Sequence, residues 1–473
     1  MKNKKKSIIE LPEKVETFEK LHNKKPVTRR DFLQTGLLGF AASVTLPSFY
    51  NVLANAGVAE AEELVCSSAG GSSLAPVVTI SLAGGAGLSA NFVPHDAGGQ
   101  PLSSYNKLGL VATNAFATDR EFANQAPFAA GLSGILAGIR TTAAASTLAN
   151  SVFIGVNVRT RDDSAQNKYN IDGMVAKAGR EGSILPTLGR NRNDFSYITP
   201  ANPLAISSFS NIEGAIGVAG SLSNLSKSQK SRLFKMVERL NTHQARKIAS
   251  VSGGKELMQL LQCASISNTD LISTNDPGIN PVLDAGVAAV WGINANSNTR
   301  SQDFVSASIV YNVAKGNSST GNITLGGYDY HNGTRTSGDT KDTQAGEMIG
   351  KTLQTFAAMG QKGFIVVYTD GGVSAPISDV PGAPWTSDNG GAGCAYMIAY
   401  NPSGPPSATG FQLGHYTQGQ SADEKFITGG SPEVAAAGIF ANYMSFSGML
   451  GSVESVIPRV FTAADLEKII KIA

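Results

Sequence analysis

Cysteine is scarce in this 473-residue chain, which has only Cys66, Cys263 and Cys394. At most one bridge can form, so a disulfide-framed fold is excluded, and the spacing matches no zinc pattern. Charged residues are also few, 16% of the total, with a formal net charge of +2. Even that small excess is local. Residues 1–56 hold 10 of the 38 Lys and Arg and 5 of the 36 Asp and Glu, leaving 28 basic against 31 acidic residues beyond them. The remainder lacks the basic surface that displaces counterions from nucleic acid, so no nucleic-acid partner is expected. No Gly-x-Ser-x-Gly elbow occurs, which disfavours a serine-histidine-acid triad. Gly84-Gly85-Ala86-Gly87 does not fit the dinucleotide fingerprint.

The amino terminus carries the firmest signal. A basic stretch ends in Thr28-Arg29-Arg30-Asp31-Phe32-Leu33-Gln34, and an uncharged run follows from Thr35 to about Ala59. Gly36, Gly39 and Pro47 interrupt that run, and Ala54-Asn55-Ala56 and Ala59-Glu60-Ala61 offer small-x-small cleavage sites. Paired arginines before a moderately apolar, glycine-containing segment mark the twin-arginine route, with Arg29 and Arg30 read by the translocation machinery. The expected product is periplasmic or secreted, with no stable membrane span after cleavage. Val65 precedes Cys66 where a lipoprotein site needs a small residue, so lipidation is not expected. The domains expected are a signal at 1–61, a flexible lead-in at 62–76 and one large domain at 77–473.

Beyond the lead-in one pattern recurs. Val77–Leu82 is a short apolar, β-rich run closed by glycines at 84, 85 and 87. Ser151–Val158 runs into Arg159-Thr160-Arg161-Asp162-Asp163, Asn322–Leu325 into Gly326-Gly327-Tyr328-Asp329-Tyr330-His331, and Gly363–Tyr368 into Thr369-Asp370-Gly371-Gly372. Helical patterns lie between them. Ser226 and Gln229 read as a capping box ahead of Leu233, Val237, Leu240, Gln244 and Ile248, and Thr343–Met359 is apolar at helical spacing and stops at Gly360. Residues 265–303, rich in Gly, Ser, Ala and Asn, read as long surface loops. Buried strands alternating with helices predict an α/β fold, an α/β/α sandwich with a mostly parallel central sheet. Ligands of such sheets bind beyond the carboxyl ends of the strands, where these polar clusters lie.

Those ends supply Asp162, Asp163, Asp329, His331, Asp370 and, on the next loop, Asp388. Carboxylates gathered at one edge repel one another unless a cation or protons intervene. Oxygen-rich sites suit calcium or magnesium, and a histidine admits zinc or manganese. Asp329-x-His331 puts two ligands on one side of an extended backbone. His95 and His415 are further candidates for this edge, as ligands or acid/base groups.

Gly326-Gly327-Tyr328-Asp329-Tyr330-His331-Asn332 resembles the Gly-Gly-aromatic-Asp-Thr-His signature of the bacterial domain-of-unknown-function 1501 family, within the alkaline phosphatase-like (sulfatase-like) superfamily. Val366–Gly372 is similar to that family's strand ending in an acidic residue, and Ser387-Asp388-Asn389 stands where the family has Asp-His. The resemblance covers most of the chain beyond the signal by order of features. It implies an alkaline phosphatase-like fold and a two-metal site hydrolysing phosphate or sulfate esters of small molecules or polymers. This sequence departs from the pattern at several positions. The first loop has no carboxylate, with Gly87 in place of an Asp; Arg161-Asp162-Asp163 replaces Arg-Ser-His; and Asn389 replaces a histidine. The expected cation ligands are Asp329, His331, Asp370, Asp388 and Asp163, and Ser89 is the nearest candidate nucleophile. Two functions follow: an exported metal-dependent hydrolase, or a catalytically inactive binding or structural protein on the same fold that retains a structural cation.

Overall fold

The computed structural model describes residues 74–160, 170–189, 198, 202–216, 278–331, 335–375 and 384–473, with scattered positions between 225 and 239. The signal segment with Arg29 and Arg30, and Asp162 and Asp163, lie outside these residues, as do Cys66 and Cys263.

The apolar runs form strands. In chain order these are β1 (Val77–Leu82), β2 (Thr118–Asp119), β3 (Phe128–Ala129), β4 (Ser151–Asn157), β5 (Thr320–Leu325), β6 (Gly363–Thr369), β7 (Val373–Ser374), β8 (Ser387–Asp388), β9 (Cys394–Tyr400) and β10 (Gln412–Leu413). Six of them make the central sheet in the order β10-β4-β9-β6-β1-β5. β1 lies parallel between β5 and β6, with Val77 opposite both Thr320 and Phe364. β10 is parallel to β4. The sheet is therefore mostly parallel, and β9 is the exception, antiparallel to both β4 and β6. Among the described residues between Thr369 and Cys394 the one helical piece is a 3-10 turn at Gly390–Ala392, and β9 runs back beside β6 with Gly363 opposite Tyr400.

Each face of the sheet buries its own core. Val78, Ile80 and Leu82 of β1 pack with Ile309 and Val313 of the Gln302–Ala314 helix and Ile349, Leu353 and Phe356 of the Arg335–Ala358 helix. On the other face Val77, Phe364 and Val366 pack with Ile439, Phe440 and Tyr443 of the Pro432–Phe446 helix. The result is the three-layer α/β arrangement, with strands buried on both sides. Among the described residues no helix is long and apolar enough to cross a membrane.

Three local features differ from the sequence expectation. Leu74 and Ala75, placed in the flexible lead-in, are buried, and the Tyr443 hydroxyl donates to the Ala75 carbonyl at 2.9 Å. The helix expected from Thr343 is already formed at Arg335, and its first turns bury Arg335, Gly338 and Asp342 against Gly109, Trp385 and Asn91 rather than an apolar stripe. Within 265–303, Ala285–Trp291 is a helix, capped by Asp284, whose carboxylate accepts from the Val287 amide at 3.0 Å. The capping box at Ser226 is present, with reciprocal bonds of 2.8 and 3.3 Å to Gln229. Of the apolar face expected after it, Val237, Leu240, Gln244 and Ile248 lie outside the described residues.

Two helices meet backbone to backbone. Gly134 and Gly138 of the Gly134–Thr142 helix face Gly346 and Gly350 of the Arg335–Ala358 helix. A side chain at Gly138 would collide with the Thr343 carbonyl and the Glu347 amide, and one at Gly346 with the Ile135 carbonyl. The Thr142 hydroxyl donates across the contact to the Glu347 carbonyl at 3.2 Å.

On the opposite face, Asp172 opens the Asp172–Lys177 helix wholly buried, with Asn170 and Thr320 beside its carboxyl. Burial pushes its pKa up to about 6, against a smaller downward pull from Asn170 and Thr320.

Gly138→Ala should destabilise the fold by about 1–3 kcal/mol through overpacking. Gly214→Ala, in a helix where an added methyl meets nothing within 4 Å, should stabilise it by roughly 0.5–1 kcal/mol. Urea unfolding measures both, and equal effects would refute the close helix contact. Asp172 holds its proton more tightly folded than unfolded, so its contribution is fully present below about pH 4 and is lost as pH rises through about 6. Asp172→Asn should therefore reduce the loss of stability between pH 4.5 and 7.5 by about 1–2 kcal/mol relative to the parent. An unchanged pH profile would contradict the raised pKa.

Candidate functional site

The carboxyl edge of the sheet gathers the loops after β1, β5 and β6, together with β8, which immediately precedes β9. Backbone pairing ties the first two loops together. The Ala83 amide donates to the Leu325 carbonyl at 2.9 Å, Tyr328 to Ala83 at 3.1 Å and Tyr330 to Gly85 at 3.2 Å. Gly84 sits in this seam at φ +116°, and any side chain there would strike the backbone of Tyr328 and Asp329. Only glycine combines that φ with so close an approach.

Residues 328–331 alternate. Tyr328 and Tyr330 are buried, Asp329 is exposed and His331 is partly buried. The extended backbone thus puts Asp329 and His331 on one side, as the spacing predicts. Their side chains touch, Asp329 Oδ1 against His331 Nδ1, and Asp388 Oδ1 lies 3.9 Å from the same nitrogen. One ligand atom from each of the three residues falls within 4.8 Å of the others. All three remain open to solvent, with side-chain exposures of 54%, 38% and 39% for Asp329, His331 and Asp388. Two carboxylates and one imidazole on a solvent-open edge fit a divalent cation that keeps positions for water or substrate.

The remaining expected residues are placed differently. Asp370 Oδ1 accepts from the Gly84 amide at 2.9 Å, and Asp370 is not among the converging ligands. It holds the first loop. Thr369 supports the same turn by accepting from the Ala86 amide at 2.9 Å. Ser89 lies in a short 3-10 turn, 1% exposed, and its hydroxyl has no hydrogen-bond partner. No hydrogen bond joins it to the cluster. His95 packs edge-on against Phe411 with Nδ1 3.2 Å from the Val93 carbonyl, and burial lowers its pKa. His415 pairs with Asp423 at 2.9 Å. Asp163 lies outside the described residues.

Beneath the cluster is a buried network that sequence reading missed. Asp342, on the long helix, accepts from the Asn91 side-chain amide at 2.8 Å and from the Tyr330 hydroxyl at 2.9 Å. Asn91 Oδ1 in turn accepts from the Ser133 hydroxyl at 3.0 Å and the Ile135 amide at 3.1 Å. Burial pushes the Asp342 pKa up to about 6, against the pull of the two hydrogen bonds and the Arg335 charge. The Tyr330 phenol is driven far above its ordinary value by burial and by Asp342 beside it. The five groups come from as far as 251 positions apart in the sequence, and their one local trace is the Tyr-Asp-Tyr-His alternation.

Gly87, in the first loop, lies against the buried indole of Trp385, which a side chain at 87 would strike.

No family model matches the sequence, no curated protein matches it, and no solved structure matches the fold.

Tyr330→Phe removes one of the two side-chain donors to a buried carboxyl and should cost about 1–3 kcal/mol. The hydroxyl stabilises the ionised form of Asp342, so the cost should be larger at pH 7.5 than at pH 5. Urea titrations at the two pH values test this, and a loss independent of pH would show that Tyr330 does not stabilise the charge.

Proposed function

We propose that the protein is an exported, alkaline phosphatase-like, metal-dependent hydrolase that holds a single divalent cation through Asp329, His331 and Asp388 and acts on phosphate or sulfate esters. The convergence of three ligand atoms within 4.8 Å at the carboxyl edge of the sheet carries this reading. The paired arginines Arg29 and Arg30 support export by the twin-arginine machinery, a route taken by proteins already folded. A cation at this site would polarise an ester oxygen and acidify a water molecule. The chain's own part is geometric. Asp370 and Thr369 fix the first loop, and Gly84 allows that loop to lie against the Asp329 backbone. His331 and the two carboxylates present their ligand atoms toward one point. With Ser89 buried, water rather than a serine is the nucleophile this arrangement favours.

Trp385 against Gly87 favours a second reading, in which the loss of the first-loop acid has left a cation-binding protein without turnover.

One set of measurements separates the two. The mature chain, purified from a periplasmic extract, is analysed for bound metal and assayed on generic phosphate and sulfate esters with Zn, Mn, Mg or Ca added back. The hydrolase reading expects turnover that falls at least tenfold in Asp388→Asn, together with cation affinity. Binding without turnover in every case leaves the second reading. No binding, or binding unchanged in Asp329→Asn, His331→Ala and Asp388→Asn, overturns the cation site itself.

A further inference from the structure

Trp385 stands three residues before Asp388, in a slot cut from three separate segments. Side chains at Gly87 and Gly109 would collide with its ring, and one at Gly338 would come within 3.0 Å of its indole nitrogen. The Arg335 guanidinium lies over the ring, 4.6 Å from its centroid, and donates to the Gly109 carbonyl at 3.0 Å and to Asp339 at 2.8 Å. Tyr330 stacks alongside with ring centroids 6.4 Å apart and planes 24° from parallel. Tyr330 is the residue between Asp329 and His331, and its hydroxyl is tied to Asp342. The Trp385–Tyr330 contact therefore joins the strand that carries one ligand to the loop that carries the other two.

The strand itself is short, and the Gly390 and Gly391 carbonyls just beyond it accept from the Thr160 and Ala422 amides at 2.9 and 2.8 Å. β7 and β8 are two residues each. Thr386 and Asn389 donate their amides to the Ser374 and Gly372 carbonyls at 2.9 and 2.8 Å. A two-stranded ribbon of this length is not stable alone, and the buried indole just before it is an anchor on the side of Tyr330.

We infer that Trp385 is a positioning residue: its docking on Tyr330 holds Asp388 beside the Asp329–His331 pair, and a cation bound by the three ligands tightens that docking. The second half rests on the cation site proposed above. Coupling of this kind is reciprocal, so an undocked Trp385 weakens the cation and the cation protects the strand. Of the stacked pair, the Tyr330 ring is held by its hydroxyl bond to Asp342 and the Trp385 ring by the Arg335 guanidinium over it.

Two measurements on the full mature chain test it. Hydrogen exchange read by mass spectrometry on peptides covering 384–393 should be accelerated at least tenfold in Trp385→Ala, with the Gly134–Thr142 helix unchanged. Titration with MnCl2 should show affinity at least tenfold weaker in Trp385→Ala. Tyr443→Phe, which alters a buried aromatic on the opposite face, should stay within twofold of wild type. Trp385→Phe, which keeps a ring on Tyr330, should be intermediate in both and decides the matter if the alanine variant does not fold. Mn2+ should slow exchange of 384–393 in the wild type and not in Asp388→Asn. Wild-type exchange in the folded Trp385 variants, or affinity within twofold of wild type, overturns the inference. If the wild type binds no Mn2+, the cation reading and the coupling fail together, and the exchange of 384–393 alone decides whether Trp385 anchors the strand.

Discussion

The carboxyl of Asp342 is the point on which the edge of the sheet is assembled. It comes from the long helix, and the donors that reach it come from the first loop through Asn91 and from the ligand-bearing loop through Tyr330. Asn91 carries the connection on to the start of the Gly134–Thr142 helix. A buried carboxyl is costly unless its lone pairs are filled, and a partly filled one is costly still. The four segments are therefore held to one arrangement, because moving any of them leaves a polar group unpaired in a dry interior. The helix N-terminus adds an oriented backbone amide to this network, in line with the preference of helix starts for polar oxygen acceptors.

That constraint needs the helices to approach closely, which the glycines permit. With Gly134 against Asp342 and Thr343, Gly138 against Gly346 and Gly350 against Ile139, the helix backbones touch, which sets the long helix close beside the Gly134–Thr142 helix. Larger residues would force the helices apart and withdraw Asp342 from Asn91. Packing and polar satisfaction are thus the same requirement met from two sides: the glycines bring the carboxyl in, and the donors make its burial tolerable.

The upper side of this platform is where chemistry is possible. Tyr328 and Tyr330 turn inward and Asp329 and His331 turn outward, so the rigidity of the buried network is passed directly to two side chains open to solvent. Asp388 arrives on a two-residue strand beside them. On the proposed reading, side chains held on a rigid edge would lose little freedom on binding a cation. Asp370 serves this edge without joining the cluster, by receiving the Gly84 amide.

Strands β9 and β10 of the central sheet were not read, whereas its other four strands (β1, β4, β5 and β6), their burial, the mostly parallel character of the sheet and the placing of Asp329 and His331 on one side were legible in the residues themselves. Each depends on local periodicity: an apolar run buried on both faces, or a period of two that sends alternate side chains to one side. The reversed direction of β9, the helix at Ala285–Trp291 and the early start of the long helix were not, because capping and packing against distant segments decide them. The same division holds in the site. Sequence placed carboxylates at successive strand ends, but it could not say that Asp370 would bind a backbone amide while Asp388 joined the histidine. Nor did any local pattern link Asn91 to Asp342 or Trp385 to Gly87, since those contacts are made between segments far apart in the chain. Local pattern determined which residues reach the edge, and only the tertiary structure, by filling or blocking the space around each one, decided which of them meet.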